Sequence, residues 1–457
     1  MFSRLGPIAL AIVAGIALGA DGPDDWHLEA LKLKTGVELQ GVVLFDFRGQ
    51  VDFAEIRRPA GKPMYSVVRT FRSQEIESLR RLPDKEHQRL LEQFKSFKQR
   101  LHLEALQAEQ VQLTTQEVEG RTLHRYEGPW FILLSTADAE TTRRCVPPVE
   151  RLFLAYRQLW PPKVQPQTPL IIELWGSFDA YRRQLKNWNL DLEGPAFFSP
   201  QHNRIVAGCE LDAFSRQLNA VKGEHQQQLQ TLNRLDGELP ATLARLSEDL
   251  KQAGFSDDEI AAEIRQRRAA WKQELNAVRS RVHEMDRRNE AKFLEVTRKM
   301  FRRLAHEAWH AYLENYVCPR EQHRVPSWLN EGLAQVFETG QLEGETYRID
   351  APDAERLAAL QAELTSARLP LEQVITADEQ VFLQGHGGGK SRQHYLYAWG
   401  LVWYLAITEN RLGGETLDRY LADDEEPLAR FERLTGRKLP EFERQWRKAI
   451  LGLKPAR

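Results

Sequence analysis

The chain has 457 residues, more than one ordinary domain, and its 42% hydrophobic and 28% charged content is that of a folded globular protein, not a disordered one. Lys and Arg total 63 against 65 for Asp and Glu, so no overall field draws it to nucleic acid or to an anionic membrane, and partners are to be sought at local sites. Cys145, Cys209 and Cys318 are too few for a disulfide scaffold and lack zinc-thiolate spacing; they read as buried small side chains, with one bridge after export the most the count allows.

At the N-terminus Arg4 precedes an apolar run, Leu5 to Leu18, closed by Gly19-Ala20 and an acidic stretch from Asp21. This profile predicts a signal peptide over residues 1–20. The run has 14 residues where a membrane-spanning helix needs about 20. The mature chain is therefore expected outside the cytoplasm, secreted or in the periplasm or cell envelope, without an integral span; an uncleaved N-terminal anchor is the alternative.

Residues 21–73 hold short strand-like runs, Val37–Phe45, Val51–Ile56 and Tyr65–Val68, separated by Gly and Pro, and predict a small β module. From Ser73 the pattern turns helical, broken at Pro83, and residues 74–110 read as a helical connector. Over 111–210 strands return at Trp130–Ser135, Leu170–Trp175 and Arg204–Gly208, with a helix over Val149–Leu159 between the first two. Strands interleaved with helices predict a sheet layer covered by helices.

Residues 211–288 change character. Leu211, Phe214, Leu218, Val221, His225, Gln228, Leu232 and Leu235 alternate spacings of three and four, and Leu243, Leu246 and Leu250 continue the pattern beyond Pro240. Gly254 marks a reversal, Ser256 with Glu259 forms a capping box, and Trp271, Leu275, Val278, Val282 and Met285 make a second seam. The segment predicts an antiparallel, coiled-coil-like arm inserted in the domain. Such an arm either packs only on itself or offers a surface to a substrate or protein partner.

Residues 289–450 carry the chemistry. A helix over Phe293–Tyr316 contains His306-Glu307-Ala308-Trp309-His310, an H-E-x-x-H arrangement. Positions i and i+4 share one helical face, so both imidazoles can converge on one ion, and Glu307 projects beside a water held there as general base. Downstream, Pro326-Ser-Trp-Leu-Asn-Glu331-Gly-Leu-Ala334 reads as a second helix capped by Ser327 and supplies a carboxylate. The H-E-x-x-H helix followed by W-L-x-E-G-x-A resembles the gluzincins, zinc peptidases in which a second helix donates a Glu ligand.

That resemblance implies an α+β fold: a gluzincin-like catalytic domain of mixed sheet and active-site helices, here carrying the N-terminal β module and the inserted arm. It implies one zinc ion on His306, His310 and Glu331, with the fourth position left to water. The metzincin pattern is excluded, because Leu313 stands where its Gly would fall and Tyr316 where its third His would be. Each ligand His needs a partner on its other ring nitrogen. Gln335, one turn past Glu331 where thermolysin-like relatives carry Asp, is the candidate, with simple surface polarity as the alternative. In several gluzincins a Tyr donates to the developing oxyanion; Tyr395, then Tyr397, in the apolar run 395–405, are the candidates, against a packing role for both. Residues 125–450 also resemble an uncharacterised family of secreted bacterial proteins with this domain.

Gly385-His-Gly-Gly-Gly-Lys390-Ser391 approaches a phosphate-binding loop, but Gln384 replaces its first glycine and no buried strand precedes it, so a flexible loop carrying His386 is expected. A catalytically inactive zinc-binding envelope protein, acting as a binding or scaffold module, is the alternative function. Among peptidases, the lack of a G-x-M-E-N motif for a substrate amine favours an endopeptidase acting on a peptide or protein over an aminopeptidase.

Overall fold

The computed structural model describes residues 26–454 apart from 48, 58–63, 99–106, 119, 191, 193, 320–324, 344–345, 367–368 and 384–389. The N-terminal apolar run and the glycine-rich stretch with His386 lie outside the described residues. Among the described residues no helix is long and apolar enough to cross a membrane. The architecture is mixed α+β, with two main sheets and a helical C-terminal half.

Strands β1 (Glu29–Leu33), β2 (Glu38–Phe47), β3 (Gln50–Arg57), β4 (Tyr65–Arg72) and β5 (Ile76–Arg80) form an antiparallel sheet in the order β4-β3-β2-β1-β5. Leu31, Leu39, Val43, Val51 and Phe53 bury one face. Val42, Ala54 and Ile56 bury the other against Leu90, Phe94 and Phe97 of α1 (Asp84–Lys98). The helical connector expected from residue 74 is corrected here. Ile76–Arg80 pairs with β1, and the helix begins only after Pro83, since the free edge of β1 offers those residues a ladder that local periodicity does not reveal.

The second sheet, β6 (Thr114–Val118), β7 (Arg121–Glu127), β8 (Ile132–Ser135), β9 (Ile171–Trp175), β10 (Ala196–Ser199) and β11 (Arg204–Gly208), runs in the order β10-β11-β9-β8-β7-β6. β8, β9 and β11 are parallel neighbours, and β10 lies antiparallel to β11 at the sheet's end. Parallel β8 and β9 need a crossover, supplied by α2 (Ala139–Leu159), which starts at an Asp138 cap accepting from Thr141 N at 3.0 Å and runs through Pro147 and Pro148. Helix α3 (Phe178–Asn187) buries Tyr181 and Leu185 against Val206.

Helices α4 (Leu211–Gln252) and α5 (Asp257–Tyr312) form the antiparallel pair, joined at Ser256 by the expected capping box. Pro240 does not interrupt α4. Two features differ from the sequence reading. The helix expected at Phe293–Tyr316 is the last part of α5, continuous from the cap and followed by a π-type turn at Leu313–Val317. Leu211, Phe214 and Leu218 belong to the main core with Phe293, so the root of the arm is part of the domain's interior.

The C-terminal half comprises α6 (Ser327–Glu338), the hairpin β12 (Gln341–Glu343) and β13 (Thr346–Arg348), and helices α7 (Ala354–Ser366), α8 (Leu371–Ile375), α9 (Glu379–Leu383) and α10 (Lys390–Trp403). Three short helices, α11 (Gly414–Leu421), α12 (Pro427–Thr435) and α13 (Leu439–Gly452), close it. One continuous core joins this half to the second sheet, with Trp160, Trp309, Trp328, Trp399 and Trp446 fully buried in it. Cys145, Cys209 and Cys318 form no disulfide; Cys209 is half-buried, not buried as expected.

Candidate metal centre

The last turns of α5 present two opposed faces. Leu304, Ala305, Ala308, Trp309, Ala311 and Tyr312 are buried in the core, and the Tyr156 hydroxyl of α2 donates to the Ala305 carbonyl at 2.7 Å. That anchoring fixes the rotation of the helix, so His306, Glu307 and His310 face α6 and β10.

The ligand atoms of His306, His310 and Glu331 lie within 4.8 Å of one another, so the group could hold a metal ion. His306 Nε2 is 3.4 Å from Glu331 Oε2, and His310 Nε2 is 3.5 Å from Glu331 Oε1. The other ring nitrogens decide what faces that carboxylate. His310 Nδ1 lies 3.0 Å from Asn330 Oδ1, an oxygen that also accepts from Trp309 Nε1 at 3.2 Å. His306 Nδ1 lies 3.2 Å from Glu338 Oε2, which in turn pairs with Arg356 at 2.9 Å. Both Nδ1 atoms thus meet acceptors and carry the hydrogen, which leaves both Nε2 lone pairs directed at Glu331.

Lone pairs opposed to a carboxylate repel unless a cation or a proton stands between them. Among the described residues the buried Glu331 Oε2 moreover has no hydrogen-bond partner, an arrangement that costs free energy unless an ion completes it. The residues fit a metal ion: two imidazoles and one carboxylate are a donor set for a divalent cation. Burial alone would raise the Glu331 carboxyl, but His310, His306 and Arg303 pull it down to about 2. Burial and Arg303 lower His306, yet Glu331 and Glu338 outweigh them and leave it raised; burial lowers His310.

Residues 301–423 match the family model of a protein of unknown function, DUF1570. That span runs from the last turns of α5 through α11 and includes His306, Glu307, His310, Glu331 and Tyr395. No curated protein and no solved structure matches the chain.

Glu307 is 4% exposed and held at both oxygens. Arg303, one turn earlier on α5, reaches Oε1 at 2.6 Å, and the Phe198 N–H of β10 donates to Oε2 at 2.9 Å. Tyr395 is partly buried, with its ring 5.2 Å from that of Phe382. Its hydroxyl is held protonated by burial first, then by the negative charges of Glu331 and Glu307 against Arg303.

Three expectations are corrected. Gln335 does not partner a histidine: its amide donates to the Tyr395 carbonyl at 2.9 Å and to the Glu331 carbonyl at 3.3 Å. Tyr397 is fully buried beside Trp446 and Arg447, in the core and not at the centre. Ser327 is the first helical residue and not the cap, because Pro326 takes the extended position before it and no side chain caps α6. The sequence reading missed Asn330, Glu338, Arg303 and Phe198. Glu338 and Arg303 have a recognisable signal, a carboxylate seven residues after Glu331 and a cation four before Glu307 on the same helix faces. Asn330 and Phe198 have none.

Proposed function

We propose that this chain is a zinc-dependent peptidase of the gluzincin type, with His306, His310 and Glu331 as ligands and Glu307 as general base. The observation that carries the reading is the convergence of two imidazole lone pairs on the Glu331 carboxylate, His306 facing the orphaned Oε2 and His310 facing Oε1, beside a buried glutamate that has no part in ligation. Zinc in such a site supplies Lewis acidity, polarising a carbonyl and bringing the ionisation of water down to about pH 7.

The chain's own groups do the rest. Glu307 accepts the proton of the attacking water, whose oxygen bonds to the scissile carbonyl carbon. The same proton passes from Glu307 to the leaving nitrogen as the C–N bond breaks, giving an amine and a carboxylic acid, whose remaining proton is then taken up by the amine to leave a carboxylate and an ammonium group. Tyr395, protonated throughout the neutral range, is the candidate donor to the carbonyl oxygen as its charge develops. Glu338 and Asn330 keep the two imidazoles in the ligating tautomer.

Internal bonds are the proposed target, since the sequence carries no motif for a substrate amine. Action outside the cytoplasm follows from the signal-peptide profile of residues 1–20. The alternative, a zinc-binding envelope protein without turnover, draws on the engagement of both Glu307 oxygens. Zinc-loaded protein incubated with casein separates the two: hydrolysis that is abolished in Glu307→Gln supports the peptidase, and zinc binding without hydrolysis supports the alternative.

A further inference from the structure

Glu307 has an unusual environment for a group that must take up a proton. Its side chain is 6% exposed, and each of its oxygens already has a donor: Arg303 Nη2 at 2.6 Å on Oε1 and Phe198 N–H at 2.9 Å on Oε2. The two donors come from different parts of the chain. Arg303 shares the metal-binding helix, one turn away, where i and i+4 side chains meet. Phe198 lies in β10, the last strand of its sheet. The Gly208 N–H donates to the Pro195 carbonyl at 2.9 Å, and with residue 196 paired to 207 the alternation of an antiparallel ladder turns the Phe198 N–H away from β11 and toward α5.

The Arg303 guanidinium is itself enclosed. Its side chain is 26% exposed, and a Cβ added at Gly194, just before β10, would come within 3.9 Å of Arg303 Nε. Arg303 therefore fills the seam between α5 and the chain leading into β10. An exposed i,i+4 ion pair is weak and fixes little. This one is enclosed, ends on a carboxylate next to a metal ligand, and is completed by a backbone donor from a distant strand, so it constrains both torsion and direction.

We propose that Arg303 is a positioning residue for Glu307: with the Phe198 N–H it forms a two-point clamp that holds the carboxylate toward the water position beside His306 and His310. The inference rests on the peptidase reading for the role of Glu307, but the clamp can be tested without turnover. Arg303 touches neither ligand set nor substrate in this scheme. Its loss leaves the ion in place and lets Glu307 rotate away.

The test uses the full chain loaded with zinc, as wild type, Arg303→Met, Arg303→Lys and Glu307→Gln. Zinc per chain is measured by elemental analysis, and the affinity for acetohydroxamate, whose N–O–H group beside a zinc ion seeks a carboxylate acceptor, by calorimetry. Hydrolysis of casein gives kcat and KM. Arg303→Met should keep one zinc per chain, bind acetohydroxamate about tenfold more weakly, as expected when a charged hydrogen bond is removed, and lose kcat with KM unchanged. Arg303→Lys, which retains a cation, should recover most of both. Wild-type hydroxamate affinity in Arg303→Met overturns the clamp, as does loss of zinc in both Arg303 variants, which makes the arginine a support of the fold. A raised KM with unchanged kcat also overturns it and assigns Arg303 to substrate. If the wild type binds zinc and acetohydroxamate but leaves casein intact, the peptidase reading fails while the hydroxamate comparison still decides the clamp.

Discussion

Replacing Gly332 by alanine should loosen the metal centre through packing alone. Gly332 follows the proposed ligand Glu331 on α6, where that helix crosses α10. A Cβ there would fall 2.4 Å from Val402 Cγ2, 2.6 Å from the Ala398 carbonyl oxygen and 3.0 Å from Val402 Cβ. Val402 can turn, but the Ala398 oxygen is backbone, so the helices must part by roughly 0.8 Å to restore an ordinary 3.4 Å contact. In an open helix Gly→Ala gains about 0.5–1 kcal/mol. Overpacking a close crossing costs about 1–3 kcal/mol, so the net sign at Gly332 is destabilising by about 1–2 kcal/mol. Gly237, within α4 with nothing inside 4 Å of its Cβ direction, is the control and should show the gain. Urea unfolding measures both, and a competing chelator measures zinc affinity, which should drop in Gly332→Ala as Glu331 shifts with its helix. A Gly332→Ala protein as stable as Gly237→Ala, with wild-type zinc affinity, refutes the reasoning.

Glu338→Gln removes the charge that orients His306, and chelator competition should show zinc held about 10- to 100-fold more weakly; unchanged affinity would remove Glu338 from the centre. Tyr395→Phe should retain zinc but reduce kcat about 10²- to 10³-fold if its hydroxyl meets the oxyanion, whereas a packing role predicts no such fall. Glu409 gives a pH prediction away from the site. Burial would raise it, but Arg437 and Tyr404 bind its charged form and depress it below 4.5, so its contribution is complete above pH 4.5 and is lost as pH falls through the folded value. The difference in urea midpoint between wild type and Glu409→Gln should therefore exist at pH 7 and shrink below pH 4.5; a difference that grows on acidification contradicts the assignment.

What was legible in the sequence was what depends on local spacing. The H-E-x-x-H face of α5, the Ser256 capping box and the strands at Ile171–Trp175 and Arg204–Gly208 follow from short-range pattern. The break expected before Phe293 did not occur, because an apolar seam giving way to all-round burial marks entry into the core and not the end of a helix. β5 and β10 are short and owe their existence to neighbours, β1 and β11, that sequence does not place beside them. The histidine partner was sought four residues after Glu331, at Gln335. At 100° per residue the seventh position, Glu338, points within about 20° of the ligand and the fourth about 40° away, which is why the carboxylate two turns on reaches His306. Asn330 owes its part to the rotation of α6, fixed by its burial against α5 and α10.

Holding an ion and acting on its water are separated by one paired measurement: zinc per chain by elemental analysis, beside casein hydrolysis, for wild type and Glu307→Gln. One zinc per chain is expected in each, with hydrolysis by the wild type lowered by about 10²- to 10⁴-fold in the variant. A wild type that binds less than one ion when zinc is supplied, or a Glu307→Gln protein that hydrolyses casein as fast as the wild type, contradicts that expectation.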